Sequence, residues 1–180
     1  MKRVLGIDPS IAATGFALPN GTTFTCKGKT KDGDRRLVQL YKDTLLAAQN
    51  SDLAVIEDLP ANAMGAGLTG KAQGVVRLAL YESGVPFVSV SPATLKVLAT
   101  GSGRAKKPEM RKAFDHLRGS VSPKSVDDNQ VDAWFLQLLG IWRLEGRLQV
   151  GAANVTDSWF KINWEAWGDL SVASSSENPE

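Results

Sequence analysis

Three stretches of the chain each bring an acidic residue to the end of an apolar run. The first is Arg3-Val4-Leu5-Gly6-Ile7-Asp8-Pro9, the second Leu53-Ala54-Val55-Ile56-Glu57-Asp58 and the third Asp127-Asp128-Asn129-Gln130-Val131-Asp132-Ala133. Taken singly, each acid has an ordinary explanation. Asp8 precedes Pro9, which cannot continue a strand ladder. Glu57 reads as the first exposed residue after a buried strand. Asp128 and Asp132 fall in the first turns of a helix, where the dipole favours acids. Taken together they imply more. Carboxylates gathered at one edge repel one another unless a cation sits among them, and hard oxygen ligands suit Mg²⁺ or Mn²⁺. Two such ions clamp a phosphodiester for attack by water. The pattern predicts a metal-dependent nuclease.

Other chemistries have little to work with. The chain holds one histidine, His116, and one cysteine, Cys26. A Cys/His zinc site within one chain is excluded, and a Ser-His or Cys-His hydrolase would have His116 as its only base. Gly65-Ala66-Gly67-Leu68-Thr69-Gly70-Lys71-Ala72 nearly fits the phosphate loop of nucleotide hydrolases. Ala72 stands where that loop needs a Mg²⁺-binding hydroxyl, and the preceding strand ends too early.

The net charge is only +2, but it is unevenly spread. Between Thr94 and Lys124 the cations are Lys96, Arg104, Lys106, Lys107, Arg111, Lys112, Arg118 and Lys124, opposed only by Glu109 and Asp115. Such a block suggests a polyanion partner, against the plainer reading of a solvated surface. From Glu145 onward acids predominate. No apolar run of membrane-spanning length occurs. The N-terminus lacks an apolar signal region, and a lone Cys26 agrees with a reducing compartment. The expectation is a cytoplasmic protein.

Elements must deliver the acids to one place. A length of 180 residues suits one domain with a real core. Residues 2–8, Thr14–Leu18 and Thr22–Lys27 read as a three-stranded meander, turning at Pro19-Asn20-Gly21. Gly33–Gln49 carries Leu37, Leu40, Tyr41, Thr44, Leu45 and Ala48 at helical spacing. Leu53–Glu57 is a strand buried on both faces. Ala66–Ser83 is a second helix, Phe87–Val90 a fifth strand and Pro92–Ala99 a short helix. Thr100–Lys107 reads as a mobile basic loop, and Pro108–Leu117 as a helix with Pro in its first turn. The last helix carries the stripe Val131, Trp134, Phe135, Leu138, Leu139 and Trp142. The sum is an α/β domain over 1–146, a five-stranded mixed sheet with helices on both faces. Residues 147–180 form an acidic tail with Trp159, Trp164 and Trp167, expected to be partly disordered and disordered from Ser174. At 100° per residue, Asp128 and Asp132 are neighbours at the border of the stripe, with Asn129 further round. This favours Asp132, and Asp128 over Asn129.

These residues carry a family resemblance. Over roughly residues 2–145 the chain resembles the RuvC family of Holliday-junction resolvases, within the ribonuclease H-like superfamily. Gly6-Ile7-Asp8-Pro9-Ser10 with Thr14-Gly15 resembles the family's first strand and metal-binding Asp. Val55-Ile56-Glu57 resembles its catalytic Glu strand, Thr69-Gly70-Lys71-Ala72-Gln73-Gly74-Val75 its next helix, and Asp132-Ala133 its final Asp. The resemblance implies Asp8 bridging two Mg²⁺ or Mn²⁺ ions, Glu57 holding one and Asp132 with Asp128 the other. Lys107 or Lys106 would offset charge in the chemical step. Candidate DNA contacts are Lys71, Lys96, Arg104, Lys106, Lys107 and Arg111. It also implies a homodimer acting on four-way junctions, forks and flaps in a bacterial or phage-infected cell. The chain departs from the family in two places. Three residues before the final Asp, where the family has Asp or His, stands Asn129, a competing neutral ligand. Asp58-Leu59-Pro60 replaces the aromatic residue that often follows the Glu. Two rivals remain: a catalytically inactive branched-DNA-binding scaffold, and a nucleotide-binding protein of the actin and sugar-kinase superfamily. The intact acids oppose the first and the chain's length opposes the second.

Overall fold

The protein is described by a computed structural model, covering residues 2–59, 66–120 and 124–145. It opens with β1 (Val4–Asp8), β2 (Ala13–Ala17) and β3 (Thr23–Lys27), an antiparallel meander. Asp8 lies opposite Gly15, and Gly15 opposite Thr25. The Asn-Gly turn depends on glycine: Gly21 adopts φ 83° and donates its amide to the Leu18 carbonyl at 2.8 Å. A 3₁₀ turn (Thr30–Asp32) leads into α1 (Arg35–Ala48). Next, β4 (Leu53–Glu57) pairs in parallel with β1. After α2 (Ala66–Glu82), β5 (Phe87–Val90) pairs in parallel with β4. Helices α3 (Pro92–Thr100), α4 (Lys107–Arg118) and α5 (Asp128–Glu145) follow. The sheet order is β3-β2-β1-β4-β5. This is the expected mixed sheet, with helices on both faces.

Strand parity decides which residue meets which helix. Leu5, Ile7, Ala54 and Ile56 turn to the face packed by Leu40 of α1 and by Ala72, Val76 and Leu80 of α2. Val4, Leu53 and Val55 turn the other way, onto Leu95, Met110, Phe114, Val131 and Phe135 of α3, α4 and α5. The same alternation puts Gly6, Asp8 and Glu57 on the face that α5 covers.

Helix α5 lies unusually close to the sheet. A Cβ on Gly6 would collide with the Ala133 carbonyl oxygen and come within 2.6 Å of the Gln137 nitrogen; on Gly15 it would strike the Asn129 carbonyl. The residues facing the sheet are therefore the small Ala133 and Gly140, with Gln137 between them. The buried Gln137 amide donates to the carbonyls of Val4 at 2.8 Å and Leu18 at 2.6 Å, joining α5 to β1 and the end of β2. Of the expected stripe, Val131, Phe135 and Leu139 are fully buried, while Trp134, Leu138 and Trp142 pack at the core's margin.

Residues Gly67–Ala72 lie inside α2, in keeping with the helix expected over Ala66–Ser83 and with the rejected phosphate loop. One local expectation changes. The Thr100–Lys107 segment is tied down: Gly101 caps α3 at φ 79°, Ala105 is buried, and its amide donates to Ser102 at 3.1 Å. The domain boundary at 146, the tail and its tryptophans lie outside the described residues. Among the described residues, no helix is long and apolar enough to cross a membrane.

Candidate active site

Asp8 ends β1 and is only 8% exposed. Glu57 ends β4, the neighbouring strand. Asp132 projects from α5 one residue before Ala133, whose carbonyl covers Gly6. The Asp8 and Glu57 carboxyls lie close enough to shift each other's protonation. Burial holds the Asp8 carboxyl well above the ordinary range, and the charge of Glu57 adds to it. Burial, then the charge of Asp132, raises Glu57 to about 7. Burial, then Asp8 and Asp128, raises Asp132 to about 7. Three desolvated carboxyls cannot all ionise together without compensation. Part of it comes from Lys96, which favours the charged forms of Glu57 and Asp132, and from Lys107, which does so for Asp8 and Asp132.

These side chains fit a divalent cation. All three donors are hard carboxylate oxygens, the set that Mg²⁺ and Mn²⁺ prefer. An ion of charge two would replace the shared protons. Among the described residues, no three acidic, His or Cys side chains are already grouped closely enough to hold a metal ion. Deprotonated acids repel one another, so an ion would have to draw them together as it displaces their protons.

Asp128 and Asn129 diverge. Asp128 turns towards α4, where its carboxylate pairs with Lys107 at 3.0 Å and Arg111 at 3.8 Å. Asn129 packs against Gly15, the β2 partner of Asp8. The preceding acid, Asp127, is structural: it accepts from the Gln130 amide at 3.1 Å and the Thr25 hydroxyl at 2.7 Å, fastening the start of α5 to β3.

Most of the expected cations reach the acids. Lys96, Arg104, Lys106 and Lys107 line a cavity of about 550 Å³ with Glu57 and Asp132. Arg111 joins through Asp128 and donates to the Val126 carbonyl. Lys71 does not line this cavity: it is exposed on α2, which packs on the other sheet face.

Sequence reasoning gave no role to a network behind Glu57. The buried Gln73 amide donates to the Glu57 carbonyl at 2.7 Å. Arg77 donates to Ser89 at 2.9 Å and to Asp58 and Gln73 at 3.3 Å each. Together they fix the end of β4. Polar residues at i and i+4 on the buried side of α2 were the available signal.

No protein-family model matches the chain. It is 32% identical over 152 residues to the crossover junction endodeoxyribonuclease RuvC of Gloeobacter violaceus, covering 77% of this chain and 87% of that protein. It is 29% identical to the protein of the same description from Trichlorobacter lovleyi, covering 86% and 93%. Among solved structures, Thermus thermophilus RuvC superposes with a TM-score of 0.66 at 22% identity, covering 80% of this chain and 96% of that one. The structure of T. thermophilus RuvC in complex with Holliday junction substrate gives 0.68 at 21%, covering 81% and 97%. These two likenesses concern the fold.

Proposed function

The chain belongs to the RuvC family of crossover junction endodeoxyribonucleases, and from that premise we propose that its acidic edge is the site where it cuts Holliday junctions and related branched DNA. One observation carries the reading: the half-buried Glu57 and Asp132, beside the buried Asp8 on the α5 face, line one cavity with Lys96, Arg104, Lys106 and Lys107.

Asp8, Glu57 and Asp132 would hold two Mg²⁺ or Mn²⁺ ions per site, with Asp128 or Asn129 as the fourth ligand. Such ions, when bound, lower the pKa of a water nucleophile and stabilise the leaving oxygen. The protein's own residues do the rest. Burial of the carboxyls excludes bulk water and strengthens every charge in the site. Lys107, held by Asp128, offsets negative charge building on the phosphoryl oxygens. Lys96, Arg104 and Lys106 bind the backbone of the cut strand, and Arg111 supports Lys107 through Asp128. The cut of two strands at a symmetric junction calls for two copies of the site, hence a two-fold homodimer. The exposed Leu78 and Tyr81 of α2 offer it apolar surface. On this reading the enzyme works in the cytoplasm of a bacterial or phage-infected cell.

The test is cleavage of an end-labelled four-way junction beside linear duplex and a replication fork. The wild-type protein with Mg²⁺ is expected to cut the junction. EDTA abolishes cutting, and Asp8→Asn binds but cuts at background level. Full activity in EDTA would end the two-ion reading; normal cutting by Asp8→Asn would remove Asp8 from the site.

A further inference from the structure

A second group of cations lies on the other flank of the acids. Strand β3 runs parallel to β1, because β2 is antiparallel to both. Its C-terminal end therefore faces the same edge as Asp8. Lys27 lies there, opposite Ala13, two residues beyond the level of the Asp8–Gly15 pair. The chain then carries Lys29, Lys31, Arg35 and Arg36, opposed only by Asp32 and Asp34. A cavity of about 220 Å³ opens here, lined among others by Ser10, Lys27, Asp32, Arg35 and Arg36. Ser10 is two residues from Asp8, so this cavity opens at the same end of the sheet as the acids, on its α1 side. The loop between is braced: the Thr14 hydroxyl donates to the Ser10 carbonyl at 2.6 Å.

The cations are available. Among the described residues, Lys29, Lys31 and Arg35 form no ion pair, and that of Lys27 with Asp127 is long, at 3.7 Å. Arg36 lays its stem against Gly28 and donates its Nε to the Gly33 carbonyl at 3.1 Å. The Asp32 carboxylate accepts the Lys29 amide at 3.2 Å. Cys26, also in the wall, is pushed up to about 12 by burial and then by Asp43, so it adds no negative charge.

We propose that this β3–α1 flank is a second phosphate-binding surface, which takes the DNA backbone where it continues past the cleaved phosphate. The geometry suits that ligand. Strands lie about 4.8 Å apart, so β3 is about 10 Å from β1 across the sheet. At a rise of about 3.4 Å per nucleotide, that is about three nucleotides along one strand. The α3–α4 cations hold the backbone on one side of the acids, and Lys27, Lys29 and Arg35 hold it on the other. The contacts are to phosphates and carry no base preference. The surface rests on the nuclease reading for its place in the reaction.

The experiment measures junction binding by the full chain in EDTA, across a salt series, for wild type and for Lys29→Ala/Arg35→Ala. Both residues are exposed, and equal unfolding midpoints confirm an intact fold. The double variant should bind about 10-fold more weakly, with a log–log salt slope smaller by about 1–2. A single uncharged methylphosphonate about three nucleotides from the cut should weaken wild-type binding and leave the variant unaffected. An unchanged affinity and slope, or a methylphosphonate effect equal in both proteins, overturns the proposal. Wild-type cleavage in Mg²⁺ is scored in parallel. A wild type that binds and does not cut defeats the nuclease reading alone; a cutting wild type with an unaffected variant defeats this surface alone.

Discussion

Glu57 and Asp132 take up protons on folding, since their carboxyls rise to about 7 from ordinary values of 4.5 and 3.8. Between roughly pH 4 and pH 7, the metal-free native state then binds more protons than the unfolded chain, and its stability falls as pH rises. A bound divalent cation relieves that penalty where the acids are charged. Calorimetry should show Mg²⁺ raising Tm more at about pH 8 than at about pH 5.5. Equal shifts at the two pH values would mean that these acids do not hold the ion. The helix-borne residues separate in the same way. Asp132→Asn should be as inactive as Asp8→Asn, Asp128→Asn severely impaired and Asn129→Ala only mildly. Mn²⁺ titration then distinguishes two roles for Asp128. Loss of affinity in Asp128→Asn marks a ligand. Unchanged affinity, with Lys107→Ala adding nothing to the cutting defect, marks a residue that only positions Lys107. A severe defect in Asn129→Ala with a mild one in Asp128→Asn would favour the residue against Gly15. Asp8 and Glu57 stand out in the sequence because each closes an apolar strand, and Asp132 because it borders the apolar stripe at the start of α5. The sequence left the choice between 128 and 129 open, because that depends on how α4 and β2 pack against the start of α5.

At the scale of the element, α5 organises the site. Its close approach over Gly6 and Gly15 brings Asp132 to the sheet edge, and Gln137 holds that register through the Val4 and Leu18 carbonyls. Gln137→Leu takes this donor from the buried Val4 carbonyl and from the Leu18 carbonyl, which keeps the Gly21 amide, and should cost about 1–3 kcal/mol in urea unfolding. A cost near zero would mean that the hydrogen bonds do not hold the helix. Strands and helices were readable from periodicity, because alternating and 3.6-residue patterns record which side of each element meets the core. The contact face of α5 was not. Large apolar residues drew attention to Trp134, Leu138 and Trp142, whereas close packing selects Ala133, Gln137 and Gly140. A buried glutamine looks like an ordinary surface residue until its acceptors, more than a hundred positions away, are known. The β3–α1 cations were missed for a related reason. Asp32 and Asp34 interrupt them in sequence, while the fold collects Lys27 and Arg35 around one cavity.

For the whole molecule, the acids form a seam between two basic flanks, and DNA binding should report that layout. Lys106→Ala/Lys107→Ala should flatten the salt dependence of junction binding and slow the cut. An unchanged slope would return both lysines to the solvated surface. The layout also has a consequence for synthesis of the protein. Asp8 and Glu57 belong to the first third of the chain, but the helix that covers them and brings Asp132 is the last described element. Domains emerge from the ribosome N-terminal end first, at about 5–20 residues per second. The sheet can pair and α1 and α2 can dock while the opposite face is still bare. Until residues 128–145 emerge, the nascent chain has two of the three acids and no lid over them. A nuclease built this way stays harmless to the cell's DNA throughout most of its own translation, and becomes armed only in the step that completes its core.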